Sequence, residues 1–205
     1  MRHPFAFDTL RILITASLAA SSPKIEQLRL RLQMGYDATK DARSMISAAK
    51  YEDASRSYAD ALNFGRKPAL ALQELQSIPD VDSCSVSVEQ FEAERHQAMK
   101  WLVDVFCESC QLHLNHLDDP AAARANAWAA CIFSQYQARQ PLVLMKQVCQ
   151  QDQDLLGEMQ MCQALIKLPI ADLSSSSSDD DGSTENRETL TKRLEELDLA
   201  LSQKL

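Results

Sequence analysis

The sequence predicts an all-α protein, and three observations carry the prediction. Only four glycines in 205 residues leave little material for the tight turns of a sheet protein. Valine is sparse, while the good helix formers Ala, Leu, Gln, Glu, Met and Arg are plentiful. Apolar residues also recur at three- and four-residue steps through most of the chain.

Residues 1–23 are rich in Ala and Ser, with Arg2 and Arg11 against the single acid Asp8. They read as a targeting presequence, or as a short helix with Leu10, Leu13, Ile14 and Leu18 on one face. A helical domain follows over 24–168, with five or six antiparallel helices whose short connections make sequence neighbours pack as hairpins. Ser22 and Pro23 signal the first helix start. Gly35 lies midway along that helix as a weak point, and a break is expected near Lys50. The second helix carries Tyr51, Ala54, Tyr58, Ala61 and Leu62, and Gly65 and Pro68 are expected to end or kink it.

After the loop "SIPDVDSCS", Ser87 and Gln90 have the form of a capping box. They open a long helix with Phe91, Ala98, Leu102, Phe106, Cys110, His113 and Leu117 at heptad-like positions. "DDP" at Asp118–Pro120 stops it and caps an Ala-rich helix that runs to Gln140. Pro141 opens one further helix with Leu142, Met145, Cys149, Leu156, Met159, Cys162 and Ile166 on a single stripe, and Pro169 closes it.

Residues 169–187 form a Ser/Asp-rich linker, "SSSSSDDDGSTENRE" at its heart, too polar to offset its ordering entropy by burial and so expected to be disordered. Acids three residues after Ser176, Ser177 and Ser178 suit an acidophilic kinase; a plain solvated linker explains the same composition. Residues 188–205 make an amphipathic helix with Leu190, Leu194, Leu197 and Leu201 in one stripe. Something must cover that stripe, and the linker's length and acidity favour a partner protein.

The net charge of −8 excludes the cationic surface that nucleic-acid binding needs. Nine acids against four bases lie beyond Ala171, so most of the excess sits in the tail. No run is long and apolar enough to span a bilayer. Of six cysteines, five fall within helical patterns, which suits a reducing, cytoplasmic compartment. The N-terminal segment makes a mitochondrion or chloroplast the alternative.

The chemistry-bearing cluster is "FCESCQLHLNH", in which Cys107, Cys110, His113 and His116 are all zinc-ligand types. Steps of three on a helix fan the four side chains over about half its circumference and ~13 Å of axis. At most two then reach one ion. The chain also lacks a phosphate loop, a nucleophile elbow and a His-Glu metal motif. A non-enzymatic protein without cofactors is therefore expected, with a metal- or thiol-dependent protein using Cys107, Cys110 and His113 as the alternative.

In "YEDASRSYADAL" the aromatic–small–aromatic–small order of Tyr51, Ala54, Tyr58, Ala61 and Leu62 resembles the second half of a tetratricopeptide repeat. Small residues let a paired helix approach closely, and each tyrosine fills the gap between helices. "ANAWAACIFSQY" is a second echo, with Trp128 and Tyr136 where such a repeat places aromatics and Ala129 and Ala130 between them. The usual glycine before Tyr51 is Ala49 or Lys50, and no closing proline follows Leu62. The 85 residues from Tyr51 to Tyr136 are not a multiple of 34. The first stretch also resembles the helical hairpin of microtubule-interacting-and-trafficking domains and, without its Arg-Asp pair, the UvrB-type hairpin. The tetratricopeptide resemblance implies stacked hairpins with a protein-binding groove, hence an adaptor or a small subunit of a larger assembly.

Overall fold

The computed structural model of the chain describes residues 23–74, 88–169 and 187–203. The N-terminal segment, Cys84, Ser87 of the capping box and linker residues 170–186 lie outside them. All regular structure among the described residues is helical: α1 Pro23–Ser47, α2 Tyr51–Glu74, α3 Val88–Leu112, α4 Pro120–Phe133, α5 Arg139–Gln151, α6 Leu155–Lys167 and α7 Arg187–Ser202. A π-helical turn, His113–Leu117, follows α3. The fold is an all-α array of antiparallel hairpins. The domain expected over 24–168 resolves into two compact units, residues 1–102 and 103–205, divided within α3.

In the first unit, α1 and α2 form a hairpin across the turn at residues 48–50. Ala54, Tyr58 and Ala61 are buried on α2, while Tyr51 and Leu62 are half-buried. The break expected near Lys50 is present, whereas α2 is not ended at Gly65 or Pro68. Helix α1 runs unbroken through Gly35, and α2 through Gly65 and Pro68. The glycines serve packing: a Cβ on Gly35 would lie 2.9 Å from Cη2 of Trp101, and one on Gly65 would lie closer still. Pro68 sacrifices a helical hydrogen bond. Fully buried Ala69 and Leu72 beyond it hold the last turns in place.

Around that indole the polar groups are satisfied. Trp101 Nε1 donates to Thr39 Oγ1 at 3.2 Å, and the Thr39 hydroxyl donates to the Gly35 carbonyl at 2.9 Å. Tyr36 meets the indole edge-on at 5.0 Å between centroids. Buried Arg29 grips Glu94 with two hydrogen bonds of 2.7 Å, which ties α1 to α3.

In the second unit the α-helical ladder of α3 gives way to π geometry at His113. The predicted stop at "DDP" is present: Asp118 adopts left-handed φ 48°, and the Asp119 carboxylate caps α4 by accepting from the Ala122 amide at 3.0 Å. Helices α4, α5 and α6 follow as consecutive hairpins with turns at residues 134–138 and 152–154.

The single helix expected from Pro141 to Ile166 is two helices. Gln153 turns left-handed, and the Asp154 amide donates back to the Cys149 carbonyl at 2.8 Å, closing α5. The Asp154 carboxylate accepts from the Gly157 amide and opens α6. Ala49 and Gln135 end α1 and α4 in the same manner, through Lys50 donating to Met45 and Tyr136 to Cys131. Each closure places a non-glycine residue where glycine is the usual choice.

Helix α7 lies against α6, with Leu190 and Leu197 each 1% exposed and Leu194 and Leu201 half-buried. The leucine stripe expected to meet a partner is thus covered by the chain itself. The expectation of a partner rested on the linker's length and acidity. The described residues that flank it, however, meet in space: Arg187 donates to the Leu168 carbonyl at 3.0 Å.

Candidate protein-interaction site

The cysteine–histidine cluster of the alternative reading does not assemble among the described residues. Cys107 and Cys110 are buried in the second unit, His113 sits at the start of the π turn with Nδ1 3.7 Å from Asp119, and His116 is exposed. Among the described residues no group of three or more His, Cys, Asp or Glu side chains is placed to hold a metal ion. Cys131, Cys149 and Cys162 are also buried, and none of the five takes part in a disulfide. Burial pushes the Cys110 thiol up to about 12, partly offset by a hydrogen bond with the Ala127 backbone. Burial likewise pushes Cys131 up to about 12, with Cys110 and Cys149 adding to the effect. Cys107 and Cys149 shift upward for the same first reason. Thiolate is the form that binds metal or attacks a disulfide, so this environment suppresses both. The cysteines serve as small core residues.

Helices α4 and α6 carry a different kind of surface. Each packs against α5, and α6 begins 35 residues after α4. Arg124 of α4 fixes the two at one end, donating to Asp152 at 2.7 Å and Asp154 at 2.6 Å. Beyond that junction each helix carries exposed side chains at helical spacing. On α4 the stripe is Trp128 and Ile132, each 48% exposed; on α6 it is Leu156, 53% exposed, then Gln160, Gln163 and Lys167.

The α4–α5 turn and the C-terminal half of α6 border a common groove. Tyr136, Gln137, Gln160, Gln163, Ala164 and Lys167 line an open groove of about 510 Å³ floored by Leu168 and Pro169. Tyr136 belongs to the apolar ridge as well, because its ring meets Trp128 edge-on at 6.3 Å. Its backbone is left-handed, φ 57°, directly after left-handed Gln135. Two successive non-glycine residues in this region are strained, and here the strain swings the phenol into the groove.

Of the two aromatics selected from the sequence as hairpin-packing residues, Tyr136 lines the groove and Trp128 is about half-exposed against it. The buried faces of this unit are held by Ala123, Ala127, Ala130 and Cys131 on α4 instead. Leu156 and Ile132 were not singled out as surface residues. The signal was available in Leu156, Gln160, Gln163 and Lys167 at helical spacing, but it becomes a face only once α6 is known to start at Leu155.

No protein-family model matches the chain, and no curated protein matches it either. No described helix is long and apolar enough to cross a membrane.

Proposed function

We propose that this chain is a non-enzymatic protein-interaction module, an adaptor or small assembly subunit, whose second unit binds a partner polypeptide along the α4/α6 groove. The observation that carries the reading is the pair of exposed apolar side chains Trp128 and Ile132, continued by half-buried Tyr136 into a largely apolar groove. Tryptophan and tyrosine are the residues that most often dominate binding energy, because they bury large rigid surfaces at low entropic cost. Helices α4, α5 and α6, of fourteen, thirteen and thirteen residues, support the resemblance to a tetratricopeptide hairpin followed by the first helix of the next. In that arrangement α4 and α6 border the groove.

The experiment is chemical crosslinking in cells with mass-spectrometric identification, comparing wild type with Trp128→Ala/Ile132→Ser. Both changed residues are half-exposed, so the variant keeps the wild-type melting temperature. Loss of specific crosslinked proteins from the variant supports the groove. An unchanged set of partners removes it.

A further inference from the structure

The α1–α2 hairpin meets α3 on one face and carries exposed apolar side chains on the other. Trp101 of α3 lies against both Gly35 and Gly65. Tyr36, one step after Gly35, packs on the same indole, and Arg29 of α1 pairs with Glu94 of α3. Met34, one step before Gly35, is turned by about 100° the other way, out of the face opposite α3. Because the helices run antiparallel, an approximate two-fold axis through the indole relates Gly35 to Gly65, and so Met34 to Phe64. Met34 and Phe64 emerge together, 42% and 38% exposed, and Leu30, one turn from Met34, is 64% exposed.

The charges beside these side chains are ordered. On α1, Arg31 stands three residues before Met34 and Asp37 three after it; on α2, Lys67 stands three residues after Phe64 and Asp60 four before it. All four are exposed. Asp37 accepts from Gln33 of its own helix at 3.0 Å, and no ion pair among the described residues involves any of the four. Antiparallel helices place both bases at one end of the face and both acids at the other.

A face that is apolar at its centre, basic at one end and acidic at the other is complementary to itself. A two-fold axis lying in the face, perpendicular to the helices and level with Met34 and Phe64, sets α1 antiparallel on α1 of a second copy. Arg31, ~4.5 Å before Met34 along the helix, then comes opposite Asp37 of the second copy, ~4.5 Å after its Met34. Lys67 comes opposite Asp60 in the same way, and symmetry repeats each pair. The other two-fold, parallel to the helices, sets base on base and acid on acid, so the charges select between them. The 24 residues of α2 at 1.5 Å each make the face ~36 Å long, and two helices make it ~20 Å wide. Two copies would together cover about 1,400 Å², as stable protein pairs do.

We propose that the face of Leu30, Met34 and Phe64 is a homodimer interface, on which two α1–α2 hairpins stack as an antiparallel four-helix arrangement. The surface lies in the first unit and is independent of the α4/α6 groove.

Sedimentation equilibrium of the full chain is the test, and the wild type should sediment at twice the monomer mass. Met34→Glu/Phe64→Glu should be monomeric with unchanged helicity by circular dichroism, because both side chains are exposed within one copy. Lys67→Glu and Asp60→Lys should each weaken the dimer by about tenfold or more, and the two combined in one chain should restore it. If the double glutamate variant does not fold, this charge series carries the test. A wild type that stays monomeric across the concentration range overturns the proposal, as does a dimer indifferent to Met34→Glu/Phe64→Glu. A combined swap that fails to restore association overturns the antiparallel register. Monomeric wild type that binds phosphatidylserine vesicles, and loses them on Met34→Glu/Phe64→Glu, assigns the face to a membrane, and the dimer falls. Trp128→Ala/Ile132→Ser should remain dimeric, which separates this test from that of the groove; a monomer there moves the contact to the second unit and overturns the proposal.

Discussion

Gly65 of α2 and Trp101 of α3 are in contact because Gly65 has no Cβ: any side chain there would intrude on the indole ring. The tryptophan is wedged between this glycine and Gly35, so the closest approach of α1, α2 and α3 within the first unit is set by two absent methyl groups.

Gly65→Ala tests the wedge. Alanine is the better helix former by about 1 kcal/mol, so propensity alone predicts stabilisation. Overpacking a filled core costs about 1–3 kcal/mol, and the ring has backbone on its other side. We expect net destabilisation in urea unfolding, with Gly35→Ala milder because its added Cβ meets the ring less closely. A stabilised Gly65→Ala protein would mean that the indole has room to move.

The α1–α2 contact makes a parallel case. Ala54 is fully buried on α2. Ala54→Leu should lower stability by about 1–3 kcal/mol. The check is the urea midpoint, read together with an unchanged slope.

Acid should loosen the junction at Arg124. The Arg124 hydrogen bond, followed by that of the Gly157 amide, holds the Asp154 carboxyl below its ordinary value of 3.8. A folded-state pKa below the unfolded one contributes stability above the unfolded value and loses it as pH falls through the folded one. Asp154→Asn keeps a capping oxygen but forfeits the ion pair, whose side chains are 40% and 32% exposed. Solvent screening limits the expected loss to about 0.2–1 kcal/mol at pH 7. The difference between wild type and variant should shrink as pH drops below 3.8, measured by thermal melts across pH 2.5–7 (a range of about this width spans both limits). A difference independent of pH would remove the ion pair from the account.

The core thiols should be inert in the folded protein. Iodoacetamide at neutral pH should leave Cys107, Cys110, Cys131, Cys149 and Cys162 unmodified until denaturant is added, as mapped by peptide mass spectrometry. Rapid native labelling of Cys110 or Cys131 would contradict their burial and their elevated pKa.

By itself the sequence determined the class, the helix starts at Pro23 and Pro120, the stop at Asp118 and the amphipathic character of α7. These follow from composition, periodicity and side chains that act on their own backbone, all of which are local. Helix interruptions were legible only where local chemistry is decisive. Gly35, Gly65 and Pro68 look like breaks, yet burial around Trp101 and Leu72 outweighs their propensity. The real break at Gln153 carries no glycine, because the capping bond from Asp154 and its bridge to Arg124 impose the left-handed turn. The tertiary structure alone decided which aromatics are core and which are rim: Tyr58 and Trp128 belong to similar aromatic–small patterns, but one faces a paired helix and the other faces solvent. It also decided where the leucines of α7 go. A stripe of leucines says that a surface must be covered, and only the three-dimensional position of Leu168, Glu158 and Arg187 says that this chain covers it.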